Sequence, residues 1–256
     1  MRRAMIIDFH ARLAPGPGEP SALLAAMDRA EITAAAVSAG GVLGIDRLAR
    51  QLSVGGRSAA RPDNEGVRRA CATSGGRLVP FYFADPRRGP EEYRRAAAGF
   101  RGLEISPAVH GFTLGEPGVA ALARIAADVG HPVYIVCLGR PGARAEDLAA
   151  LAASRPATTF VFGHCGGNGL DTDGLHRLAP LPNVLAETSG AYTLTARLAV
   201  RRLGASRVLF GTEYPLQDPR VEVAKLGALG LTAAERRAVA CENASRLLNL
   251  QELSHV

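Results

Sequence analysis

Short apolar runs alternate with helix-patterned stretches from one end of this 256-residue chain to the other. Eight runs have strand character: Ala4–His10, Ile32–Val37, Arg77–Phe83, Gly102–Ile105, Pro132–Cys137, Thr159–His164, Asn183–Thr188 and Arg207–Glu213. Between them the spacing predicts helices over Ser21–Arg29, Asn64–Thr73, Glu91–Ala98, Val119–Val129, Ala145–Ala153 and Thr195–Leu203, and a weak one from Leu175, broken by Pro180 and Pro182. A last helix runs from Thr232 to Leu248, opened by a threonine cap with Glu235 three residues on. Strands that alternate with helices pair in parallel through helical crossovers. Eight such units in a chain of this length favour one closed (β/α)8 barrel of the TIM type, a single domain over 1–256. An open doubly wound sheet is the competing architecture. Against it, no Gly-x-Gly-x-x-Gly follows the first run, and polar residues sit at several strand ends. The segment 40–63 reads as long and irregular, with Gly55-Gly56 inside it, and is expected to be a lid or substrate loop.

Composition narrows the functional classes. The net charge is +6, carried almost wholly by arginine, with Lys225 the only lysine. No stretch interleaves basic and aromatic side chains, so a nucleic-acid partner is not expected. No apolar run approaches the roughly 20 residues of a membrane span. The apolar stretch near the start ends at Asp8, too short for a secretory signal, which suggests a cytoplasmic protein. Cys71, Cys137, Cys165 and Cys241 are far apart and form no CxxC pair, so they read as reduced thiols.

The strand ends hold the chemistry. His10 and Arg12 are two residues apart on the first strand and so share a face, with Asp8 on the same side. His164 ends the sixth strand before Gly166-Gly167, and Glu213 ends the eighth after Gly211-Thr212. Parallel barrel strands aim their C-terminal ends at one mouth, so these distant residues are expected to converge there. Glu104 on the fourth strand, and Glu187 and Ser189 at the seventh, are polar enough to face the same mouth. Cys165 points away from it, and Cys137 reads as a small buried hydrophobe or, with a one-residue slip, a thiolate ligand. His110, His131, His176 and His255 read as surface histidines, His110 the least securely so, and Asn243 as a helix-stabilising side chain.

Several segments together resemble the amidohydrolase-related metal-dependent hydrolases. Asp8-Phe9-His10-Ala11-Arg12 is similar to that family's Asp-x-His-x-His opening, and Met27–Ile32 to its first helix running into the second strand. Phe162-Gly163-His164-Cys165-Gly166-Gly167 is similar to its Gly-His-x-Gly-Gly segment, and Phe210-Gly211-Thr212-Glu213-Tyr214-Pro215 to its Phe-Gly-Thr-Asp-x-Pro segment. Leu231–Glu235 and Asn243–Leu248 resemble its closing helix. The resemblance implies divalent-metal chemistry, usually zinc, used for hydrolysis or for non-oxidative decarboxylation of small carboxylic acids. The implied ligands carry over in part. His10 and His164 are present; Arg12 stands where the second histidine of the opening would be, Val136 where a fifth-strand histidine would be, and Glu213 where the aspartate would be.

Two versions of an enzyme follow, each acting on a small, anionic or carboxylated molecule. In one, His10, His164 and Glu213, with or without Cys137, hold a single zinc ion. In the other, towards which the lost ligands tilt the balance, no metal is bound. Arg12 then orients a carboxylate and stabilises negative charge, and His164 serves as acid and base. Catalysis would rest on His164, His10, Glu213 and Arg12, and substrate contacts on Arg12, Glu104 and Ser189. A non-catalytic barrel that binds a ligand or partner is the alternative outside enzymology. Oligomeric state is not legible.

Overall fold

The computed structural model of the protein describes residues 5–16 and 18–250. Eight parallel strands form one sheet in sequential order: β1 (Ile7–Leu13), β2 (Ala34–Ala39), β3 (Leu78–Ala84), β4 (Gly102–Ile105), β5 (Val133–Ile135), β6 (Phe160–Phe162), β7 (Val184–Glu187) and β8 (Val208–Leu209). The sheet curls back on itself. The Phe9 N–H donates to the Phe210 carbonyl at 2.8 Å, Glu213 N–H to His10 O at 2.8 Å and Arg12 N–H to Tyr214 O at 2.8 Å. The expected (β/α)8 barrel is therefore the fold. The expected strand at Ala4–His10 starts at a residue outside the described ones and is seen from Ile7 onwards.

Helices pack outside the strands: α1 (Glu19–Arg29), α2 (Ile45–Val54), α3 (Asn64–Ala72), α4 (Glu91–Ala96), α5 (Pro107–His110), α6 (Pro117–Asp128), α7 (Ala145–Ala153), α8 (Thr172–Leu178), α9 (Thr193–Leu203), α10 (Pro219–Ala228), α11 (Ala233–Arg237) and α12 (Asn243–Leu248). The expected threonine cap is present. Glu235 N–H donates to the Thr232 hydroxyl at 3.2 Å, and the Glu235 carboxylate accepts from Thr232 N–H at 2.8 Å. Helix α2 corrects the reading of 40–63 as irregular throughout. Its apolar Ile45, Leu48 and Leu52 have helical spacing, but glycines on both flanks and intervening arginines hide the period. Helix α10, capped by Asp218 and opened by Pro219, also lies where the sequence pattern gave no element.

Alternation along the strands divides the core. Ala34, Ala36, Val79, Phe81, Tyr134, Val161, Leu185 and Leu209 fill the barrel interior, closed below by Ala244 and Leu248. Their neighbours, such as Val37, Leu103, Val133, Phe160 and Val184, pack against the helices. Asn243 ties the closing helix to the barrel, donating to the carbonyls of Ala205 at 2.7 Å and Val208 at 2.8 Å.

His131 is not the surface histidine expected from its loop position. It is buried, and its Nδ1 accepts from the Tyr93 hydroxyl at 2.7 Å. Burial, then the nearby Arg101, pushes it down from 6.5 to about 4. The unfolded chain thus takes up a proton near pH 6.5 that the folded chain refuses until about pH 4. The stability that a neutral His131 brings is complete above pH 6.5 and declines as pH falls towards 4. Urea unfolding at pH 7 and pH 4.5 should show a smaller acid loss in His131→Gln than in wild type; equal losses would refute this account. His176 is exposed as expected, and His255 lies outside the described residues.

Candidate metal centre

The β1–β2 pairing shifts register between Asp8 and Ala11. A bulge of this kind re-aims side chains. Phe9 packs edge-on against Phe81 in the interior, and the adjacent His10 also turns inward, stacked on the Tyr134 ring at 4.1 Å and 8°. His164 lies two residues past the end of β6, in the turn Gly163–Cys165, and Glu213 lies beyond β8. Both have left-handed backbone, φ 58° in each case. The three side chains converge. His10 Nδ1 is 2.5 Å, and His164 Nε2 3.5 Å, from Glu213 Oε2. One ligand atom from each lies within 4.8 Å of the others.

A second ring of polar groups holds these three. The Arg12 guanidinium reaches Glu104 Oε1 at 2.5 Å and, through Nε, Glu213 Oε1 at 3.5 Å, and lies 5.5 Å above the Phe83 ring centre. Glu104 also accepts from the Ser38 hydroxyl and lies 3.5 Å from His10 Nε2. Glu187 accepts from the Tyr134 hydroxyl at 2.6 Å, the Ser189 hydroxyl at 2.8 Å and the His164 N–H at 3.2 Å. With the Ser189 hydroxyl proton directed to Glu187, the Ser189 oxygen 2.9 Å from His164 Nδ1 is left to accept from it. The free lone pair of His164 is then on Nε2, facing Glu213. Asp8 fixes β1 to the chain beyond β8, accepting from Thr212 N–H at 2.9 Å and its hydroxyl at 2.5 Å.

The electrostatics follow from burial and these partners. Burial alone would discharge His10, but Glu213 and then Glu104 outweigh it and push the ring up to about 10. Burial would raise Glu104, yet Arg12, helped by His10 and Ser38, holds it down at about 2. Glu213 is likewise held well below the usual carboxylate range by His10, His164 and Arg12. Asp8 goes the other way, up to about 6, because burial dominates.

These residues fit a divalent cation. Both ring nitrogens of His10 and Glu213 Oε2 are buried and make no hydrogen bond of regular geometry, although His10 lies in ion-pair range of both Glu213 and Glu104. Buried polar atoms are seldom left so. Two carboxylates, Glu104 and Glu213, also lie against the Arg12 guanidinium, and imidazole nitrogens with a carboxylate are a suitable donor set for zinc or manganese. Cys137 is outside the cluster among the described residues; it is buried, and burial pushes its thiol far up. Val136 lies past the end of β5, on the wall of the cleft.

His164 and Glu213 open onto a cleft of about 810 Å³, and His10 is buried next to them. Arg12, His164 and Glu213 line its base, and Val42, Leu43, Ile45, Leu48 and Leu52 of the 40–63 segment line one side. Glu104 and Ser189 are fully buried beneath it, facing Arg12 and His164. His110, the histidine least securely placed on the surface, is wholly buried against Phe83. Tyr134 and Ser38 escaped the sequence reading. The only hint was a hydroxyl-bearing side chain at an inward position of an otherwise apolar strand.

Fold and cluster define a class: (β/α)8 barrels with histidine and carboxylate side chains gathered at the C-terminal mouth. Within it, this chain belongs to the amidohydrolase family, whose model matches residues 7–250. Among solved structures, it is similar to a manganese-bound 5-carboxyvanillate decarboxylase of Novosphingobium aromaticivorans, in complex with a nitrobenzoic acid (TM-score 0.72, 18% identity, 96% of this chain and 97% of that one). It is also similar to a 2,6-dihydroxybenzoate decarboxylase from Rhizobium (TM-score 0.67, 19% identity, 98% and 99%). An uncharacterized TIM-barrel protein of Bordetella bronchiseptica aligns with TM-score 0.76 at 18% identity over 96% and 98%. At these identities the likeness establishes the fold. No curated protein matches the chain. Among the described residues no helix is long and apolar enough to cross a membrane.

Proposed function

We propose that the protein is a decarboxylase-like lyase of the amidohydrolase family that acts on a small carboxylated molecule with the help of one divalent cation. The observation that carries this reading is the convergence of His10, His164 and Glu213 beside the cleft, with both ring nitrogens of the buried His10 and one Glu213 oxygen making no regular hydrogen bond. Those three side chains would hold the ion. When bound, it supplies a Lewis acid that polarises a substrate oxygen. The chain's own groups do the rest. Arg12 brings a fixed positive charge to the cleft floor, where it can orient a carboxylate. Glu104 and Glu213 hold the guanidinium in place. Glu187 and Ser189 fix the tautomer of His164 and aim its Nε2 at the cluster. The two named decarboxylases among the similar structures support this choice of chemistry over hydrolysis.

A metal-free enzyme is the second reading. It is favoured by one contact: Arg12 already reaches Glu213, putting a cationic group beside the cluster. His164 would then carry the acid–base role.

Metal analysis of protein purified without chelator, coupled to release of carbon dioxide from a panel of hydroxybenzoates, tests both. The expected result is close to one divalent ion per chain, lost in His10→Ala, with turnover that disappears when the ion is stripped and returns with manganese or zinc. Turnover by metal-free protein would install the Arg12 reading. Absence of both metal and turnover would make the barrel a binding protein.

A further inference from the structure

The cleft has two chemically distinct ends. Its base is ionic, with Arg12, His164 and Glu213. Its side is a stripe of α2, where Ile45, Leu48 and Leu52 succeed one another at helical spacing and all line the cleft. Ile45 is 59% and Leu52 45% exposed. Val109, Leu138 and Leu216 add further apolar surface to the lining, the last also exposed.

Helix α2 is not a loose flap. The buried Gln51 side chain donates to the carbonyls of Ala108 at 2.6 Å and Val109 at 3.2 Å. Arg140 donates to Gln51 O at 2.9 Å and Pro107 O at 3.0 Å, and Arg47 to Arg57 O at 2.9 Å. Polar anchors therefore fix the helix to α5 with its apolar stripe uncovered. Contiguous apolar surface left open beside a polar site marks a place where something apolar binds. The cleft's volume lies near the top of the range for drug-sized ligands, roughly 300–1,000 Å³. A single-ring carboxylate seated on the ionic base would leave the α2 side empty.

We propose that the substrate is a carboxylate borne on an elongated apolar body, an alkyl or aryl-alkyl chain, and that Ile45, Leu48 and Leu52 form the subsite for that body. This rests on the carboxylate-binding reading of the base and deepens it. Continuity with a base that carries the Arg12 guanidinium favours an amphipathic anion over a second protein chain as the occupant. The segment 40–63 then acts as a preformed wall that selects by length.

The test is a binding series at constant head group: benzoate, 4-butylbenzoate and 4-octylbenzoate, titrated calorimetrically into the protein as purified. Each buried methylene is expected to tighten binding by up to about fourfold, the factor for about 0.8 kcal/mol. The octyl compound should therefore bind on the order of 100-fold more tightly than benzoate once partial burial is allowed for. Because Ile45 and Leu52 are exposed, Ile45→Ser/Leu52→Ser will fold, and it should cut the octyl-to-benzoate ratio roughly tenfold. Benzoate binding with a flat tail series would overturn the subsite and leave the carboxylate reading standing. No binding of any carboxylate would overturn both. An unchanged ratio, with an oligomer dissociated by the same two substitutions on sedimentation, would give α2 to a second copy of the chain and overturn the proposal.

Discussion

Glu104→Leu should lower the unfolding free energy by about 3–5 kcal/mol, the usual cost of removing one partner from a buried ion pair. Glu104 has no exposed surface and meets Arg12 at 2.5 Å, together with the Ser38 hydroxyl. Arg12 is itself only 14% exposed, and its remaining carboxylate, Glu213, is 3.5 Å away. Leucine at 104 would leave a nearly buried guanidinium with one distant partner and a serine hydroxyl with none. The carboxylate's pull is also visible in its acidity. Glu104 is held down at about 2 against 4.5 in the unfolded chain, so its stabilisation is full above pH 4.5 and is lost as pH falls through about 2. Urea unfolding at pH 7 measures the loss. The double variant Glu104→Leu/Arg12→Met should recover most of it, because it replaces the pair with apolar groups of similar size. A single-variant loss below about 1 kcal/mol, the level of an exposed pair, would show that solvent reaches the site and that the pair is not structural.

Gly211→Ala is expected to damage the centre without touching any of its side chains directly. A methyl group at 211 would fall inside contact distance of the Glu187 carboxylate. Gly211 has ordinary backbone geometry, so the effect is purely one of space. Glu187 has nowhere to retreat. It is fully buried and accepts from Tyr134, Ser189 and the His164 backbone. Overpacking of this sort costs about 1–3 kcal/mol. Disturbing the groups that orient a metal-binding histidine typically weakens metal affinity by about 10- to 100-fold. Unfolding curves and metal titration on the same preparation measure both. An alanine variant with wild-type values in each would mean that Glu187 does not position His164.

The two sites of damage differ in how far the sequence announced them. The barrel was legible because each strand is an apolar run bounded by turn residues, and because helices intervene. His10, His164 and Glu213 were legible as strand-end polar residues, since a parallel barrel brings such ends together. The bulge at Asp8–Ala11 was not, because strict alternation puts Phe9 and His10 on opposite faces, and only pairing with β2 shows the slip. Tyr134 was missed because Val133-Tyr134-Ile135 reads as plain core, whereas its hydroxyl enters the Glu187 network. The pairing of Glu104 with Arg12 could be suspected from their polarity but not assigned, as 92 residues separate them. Helix α2 was obscured by its flanking glycines, and the burial of His131 by its place in a tight connection.

His164, Cys165 and Glu213 share a backbone state that side chains resist, with φ values of 58°, 48° and 58°. For a residue with a Cβ this conformation costs roughly 1–2 kcal/mol relative to the right-handed one, and glycine escapes the penalty. The two histidine- and glutamate-bearing corners are therefore places where selection for thermostability alone would favour glycine. If the proposed cation site is what keeps side chains there, the demand is one of chemistry and not of folding. In a lineage released from that demand, these corners should be among the first to drift towards glycine or asparagine, and the barrel should become more robust as it loses its reactive groups.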